Sequence, residues 1–158
     1  MNYILNWLKH LFVKPTDNVF HIPDYLTPYV RLFGSRKWGG YTQSSDIDLL
    51  AREVHLPLLL ALLDTHHMPY SHSSKHYLPG SVITFFHANY KWQITVLDNR
   101  DYPHASRACD ILDSYYTNNP PDPKAIRAAN FEAIIGNLQG ISIELRNHIK
   151  LHFPELLI

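Results

Sequence analysis

LFGSRKWGGYTQSSDIDLLA, residues 32–51, decides how the chain is read, because a glycine–serine pair precedes two aspartates that alternate with apolar residues. Side chains of a strand alternate faces, so Asp46 and Asp48 project together while Ile47 and Leu49 point into a core. Two carboxylates held side by side repel one another. A divalent cation relieves that repulsion, and oxygen donors of this kind suit magnesium, or manganese in its place, with positions left for water and phosphate oxygens. Gly34 lets a phosphate approach the backbone, Ser35 offers a hydroxyl and an N–H, and Arg36 and Lys37 carry charge to set against phosphate oxygens.

Outward from this stretch, Tyr29–Phe33 reads as a strand ending at Gly34, and Asp46–Ala51 as a second strand. His55–His67 is a leucine-dense helix with Pro57 in its first turn, and its leucines lie on more than one face, which predicts deep burial. Ser81–Ala88 and Lys91–Leu97 form a hairpin through Asn89-Tyr90. The pattern then turns helical. His104–Tyr116 places Ala105, Ala108, Ile111, Leu112 and Tyr115 on one side, and NNPPDP breaks it. Asp122-Pro123 reads as N-cap and first residue of a helix through Leu138, packed by Ile126, Ala129, Ala133 and Ile134. Gly140 separates it from a last helix carrying Ile141, Leu145 and Ile149. The order predicts an α+β fold: a small mixed sheet with helices mainly on one face, one domain over 1–158, a core at about 29–100 and a helical part at about 104–152.

GSR, a short spacer and SDIDLL resemble the signature of the DNA polymerase β-type nucleotidyltransferase superfamily, and most of all its minimal members. A hairpin followed by helices and by AIRAANFEAII, 125–135, is similar to small nucleotidyltransferase-like proteins encoded by bacteriophages. The resemblance implies the polymerase β-type fold, a nucleoside triphosphate substrate gripped by Gly34 and Ser35, and magnesium held by Asp46 and Asp48. Transfer of a nucleoside monophosphate to an acceptor is then an in-line displacement driven by positioning and charge. Superfamily enzymes usually add a third carboxylate on a later strand. The position that aligns with it in KWQITVLD is Gln93, whose neutral amide cannot draw a proton or replace a carboxylate on a metal. Trp92, Ile94 and Val96 share one face, and Gln93, Thr95 and Leu97 the other. Asp98 has the wrong parity for the Gln93 face unless the strand bulges or ends, and Asp101 lies in a loop beyond it. An enzyme and a nucleotide- or partner-binding module of the same fold therefore both stay open.

Fourteen basic residues balance fourteen acidic ones, which disfavours a long nucleic-acid acceptor and leaves a small molecule or a protein. One cysteine, Cys109, permits no internal disulfide and fits a reducing compartment. The start of the chain lacks the pattern of a secretory signal, and no run reaches the ~18 apolar residues of a membrane span, so the expected location is the cytoplasm, that of the host if phage-encoded. Ile4, Leu5, Leu8, Leu11 and Phe12 form a helical stripe expected to dock on the core. The apolar tail LHFPELLI needs a covering surface, its own or that of a second copy. The histidines at 66, 67, 72 and 76 read as surface or loop residues rather than a zinc site. Arg146-Asn147-His148 reads as a solvated helical face. Trp38 and Tyr41 either stack on a base or pin the loop.

Overall fold

The computed structural model describes residues 20–74, 80–136 and 138–157. The N-terminal stripe and His76 lie outside them. A five-stranded mixed sheet runs in the order β1-β2-β5-β4-β3, formed by β1 (Val30–Phe33), β2 (Ile47–Arg52), β3 (Tyr70–Ser74), β4 (Ser81–His87) and β5 (Tyr90–Leu97). Only the β2–β5 pair is parallel; β1, β4 and β3 run antiparallel to their neighbours. Around the sheet lie the short α1 (Ser35–Trp38), α2 (Leu56–Thr65), α3 (Tyr102–Asn118), α4 (Lys124–Ile135) and α5 (Ile143–His152). The chain is α+β, and no helix among the described residues is long and apolar enough to cross a membrane.

Two cores sandwich the sheet. Ile47, Leu49, Ala51, Ile83, Phe85, Trp92, Ile94 and Val96 face α2 through Leu59 and Leu63. On the opposite face Leu50 and Leu97 meet α3, α4 and α5. Ala105, Ala108 and Cys109 are small enough for α3 to lie close to the sheet, and Ile111, Leu112 and Tyr115 complete the predicted buried face of that helix. Central strands covered on both sides carry nearly continuous apolar runs, which is why β2 and β5 are so rich in Leu, Ile and Val. The interior residues that are not buried are Asp48 in β2 and Lys91 and Gln93 in β5.

Several sequence expectations change. The segment after Pro69 is not a loop but β3, an edge strand whose Ser71, His72 and Ser73 are exposed; a strand paired on one side needs little apolar content. Deep burial of the leucine helix also fails: Leu59 and Leu63 are fully buried, whereas Leu58 on its outer face is exposed. The hairpin turns at Ala88-Asn89, with φ of +51° and +67°, rather than at Asn89-Tyr90. Consecutive left-handed residues match the twist of a two-residue hairpin, and they leave Tyr90 to begin the strand. Pro123 rather than Asp122 occupies the N-cap of α4, and the helix stops at Ile135. The C-terminal tail is covered in part by its own chain: Phe153, Leu156 and Leu157 pack against the α3 side of the core.

Candidate functional site

Gly34 leaves β1 with φ +80° and ψ −160°, a conformation essentially reserved for glycine. It also lies against β2: a Cβ on Gly34 would stand 2.6 Å from Asp48 Oδ2. Absence of a side chain is therefore required twice, by backbone geometry and by the carboxylate beside it. The turn continues into α1 and the Gly39-Gly40 loop, and returns to Asp46 immediately before β2.

Asp48 pairs in register with Phe33 of β1 on one side and Gln93 of β5 on the other, and Gln93 pairs with Thr84 of β4. The amide thus stands beside Asp48 on the adjacent parallel strand, where the sequence pattern placed it. Leu50, Thr95 and Leu97, farther along the same face, are buried. Asp48 and Gln93 lie toward the strand ends that this packing leaves open. Lys91, two residues before Gln93 and on the same face, brings its ammonium 3.5 Å from Asp46 Oδ2, with both side chains partly exposed.

Asp98 and Asp101 sit at the other end of β5. Five residues separate Gln93 from Asp98, about 16 Å along a strand, and Asp98 Oδ1 accepts the backbone N–H groups of Arg100 and Asp101 in the turn into α3. Neither completes the aspartate pair, and no group of three or more metal-ligating side chains occurs among the described residues. Two carboxylates next to a side-chain-free turn are a fit for one oxygen-liganded ion that shares its remaining positions with phosphate and water. They offer a second ion no carboxylate of its own.

Of the residues read as phosphate ligands, Gly34 adjoins Asp48, Ser35 follows it as the first residue of α1, and Lys37 is exposed. Arg36 turns inward: it is 5% exposed and donates to the carbonyls of Ser45 at 2.9 Å and Gln43 at 3.3 Å. Its guanidinium lies 4.8 Å from the Tyr41 ring centre and 5.0 Å from that of Tyr90. Arg36 thereby fastens the loop that delivers Asp46. Trp38 and Tyr41 are buried as well, so they pin this loop rather than present a stacking surface. The Trp38 indole donates to Asp113 Oδ1 at 2.6 Å, and its ring is surrounded by Phe33, Tyr116 and Phe131.

Sequence reasoning missed Arg127. The buried residues of α4 are Arg127, Asn130 and Phe131; of the expected packing residues Ile134 does meet the core, whereas Ile126 and Ala129 are exposed. Arg127 donates to the carbonyl of Gly39, and a Cβ on Gly40 would come 2.5 Å from its Nη1. Gly40 leaves the space that the guanidinium fills, while a Cβ on Gly39 would meet Pro121. Burial lowers the Arg127 pKa, while the charge of Asp48 is among the groups that support its protonated form. Tyr116 is held beneath it, donating to Asp122 Oδ2 at 2.9 Å, and burial raises its pKa. The signal available in the sequence was an arginine spaced i, i+3 and i+4 from Asn130 and Phe131.

A separate open cleft of about 630 Å³ is lined by Arg36, Lys37, Asp110, Asp113, Ser114 and Tyr116, on the α3 side of α1 and without Asp46, Asp48 or Gln93. The histidines described lie at the surface, as expected: His66, His67 and His72 are exposed, His66 stacking on Tyr25 at 3.7 Å and His72 lying on edge strand β3. His148 departs from the expected solvated face, since its Nε2 lies 2.5 Å from Ser114 Oγ and its ring meets Tyr115. Compared with known proteins, the chain matches no family model and no curated protein.

Proposed function

We propose that the protein is a polymerase β-type nucleotidyltransferase that binds a nucleoside triphosphate with magnesium and passes the nucleoside monophosphate to a small-molecule or protein acceptor. The observation that carries the reading is the seating of Gly34 against the Asp48 carboxylate, which joins the glycine–serine turn to the aspartate pair. Gly34 and Ser35 bind the phosphate chain through backbone and hydroxyl, and Asp46 and Asp48 hold the cation. When bound, the cation supplies charge for the phosphate oxygens and acidifies a coordinated hydroxyl. Arg36, Trp38 and Arg127 keep the loop rigid, so that little ordering is required when the nucleotide arrives.

One observation favours a second reading, a nucleotide-binding regulatory module without turnover. Gln93 stands in register with Asp48, and an amide cannot take a proton from an attacking hydroxyl. Incubation of the protein with labelled nucleoside triphosphates and Mg²⁺ or Mn²⁺, beside an Asp46→Asn/Asp48→Asn control, separates the two. Pyrophosphate release that disappears in the control supports the transferase. Metal-dependent thermal stabilisation by nucleotide without release supports the module, and absence of both release and stabilisation defeats both.

A further inference from the structure

The resemblance implies two magnesium ions on Asp46 and Asp48, and two side-chain cations of the protein already approach this pair. Lys91 Nζ lies 3.5 Å from Asp46 Oδ2. On the other carboxylate, Asp48 is within electrostatic influence of the buried Arg127 guanidinium and has the neutral Gln93 as its β5 neighbour. Lys91 and Gln93 share a face of one strand, so the side of the site where a third carboxylate would stand presents an ammonium and an amide instead. A second divalent ion placed there would gain no ligand charge from β5 and would be repelled by Lys91. Lys91 is partly exposed and long, so its ammonium can reach a phosphate oxygen while staying close to Asp46.

We infer that the Lys91 ammonium occupies the role of the second divalent cation, so that the site binds a nucleoside triphosphate with one metal ion and one lysine. The inference rests on the nucleotide-binding reading above and specifies how that site balances charge. It also accounts for Gln93: a carboxylate there would pair with Lys91 and draw it from the phosphate, whereas an amide leaves the ammonium available.

The test counts metal ions. With α,β-methylene-ATP at saturation, Mn²⁺ bound to the full chain is measured by electron paramagnetic resonance, and analogue affinity by calorimetry. The wild type should bind one Mn²⁺ per chain. Lys91→Ala should weaken analogue binding about tenfold or more, the usual cost of losing one charge-assisted contact, and Lys91→Ala/Gln93→Asp should bind two Mn²⁺. Both positions are partly exposed, and thermal melts verify that the variants fold. Two Mn²⁺ in the wild type, undiminished affinity in Lys91→Ala, or one Mn²⁺ in the double variant overturns the inference and leaves nucleotide binding standing. Failure of the analogue to bind with either Mn²⁺ or Mg²⁺ removes the nucleotide reading and the inference together.

Discussion

Gly34→Ala tests the junction between the glycine–serine turn and the aspartate pair without recourse to any activity. The backbone at φ +80°, ψ −160° costs a residue bearing a Cβ about 1–3 kcal/mol. The new methyl group would also stand 2.6 Å from Asp48 Oδ2 and 3.3 Å from its carboxyl carbon, so the carboxylate must shift. Gly140→Ala is the matched comparison, with the same φ of +80° but nothing within 4 Å of the added carbon. At roughly 2–4 °C per kcal/mol for a chain of this size, Gly34→Ala should lower Tm by about 4–8 °C. A double-mutant cycle isolates the contact: with Asp48→Ala already present, the penalty of Gly34→Ala should shrink toward its backbone cost. Urea unfolding of the four proteins supplies the free energies. Equal penalties in the two backgrounds, within the ~0.5 kcal/mol expected of independent sites, would refute the claim that Gly34 is glycine on account of Asp48.

Trp38→Phe removes the indole donor to Asp113 while keeping the ring, and should cost about 1–3 kcal/mol by urea unfolding. Ala88→Asn, at a position with φ +51°, should stabilise the hairpin by roughly 1 kcal/mol, because asparagine tolerates the left-handed region. Burial pushes the Cys109 thiol up to about 12 from 9.0. The unfolded chain therefore ionises first, and this contribution to stability, intact below pH ~9, is lost as pH rises toward 12. The urea midpoint should fall less between pH ~9 and ~11 in Cys109→Ala than in the wild type. Burial, and then the charge of His152, lowers the His148 pKa, so its contribution is present above the ordinary value near 6.5 and is lost as pH falls. His148→Gln should flatten the decline in urea midpoint between pH ~7.5 and ~5.

Strand alternation made the central site legible. A period of two fixes which side of β2 bears Asp46 and Asp48 and which side of β5 bears Gln93, and their register sets the two beside each other. The buried face of α3 was equally readable, since five apolar residues recur at helical spacing over seventeen helical residues. Polarity misled elsewhere. Arg36 has the composition of a phosphate ligand, but the carbonyls of Gln43 and Ser45 and two tyrosine rings take up its guanidinium. On α4, Ile126 and Ala129 look more suited to a core than Arg127 and Asn130. The loop facing that helix carries Gly39 and Gly40, however, and the room beside a backbone without side chains suits a flat cation that can donate to a carbonyl. A sequence pattern records the periodicity of one element, whereas the shape it packs against belongs to another.

The single parallel pairing of the sheet has a consequence for the order in which the protein can assemble. Asp48 leaves the ribosome well ahead of Gln93 and Lys91, and the strands between and beside them, β3 and β4, occupy the opposite side of β5. The β4–β5 hairpin can form locally on its Ala88-Asn89 turn, but it must then dock on β2 in one alignment; a slip of one residue would send Gln93 and Lys91 toward α2. Long-range pairing of this kind is the slow part of folding. A nascent chain that has not yet completed β5 carries the aspartates exposed and unmatched, and acquires its site only when the hairpin docks in register.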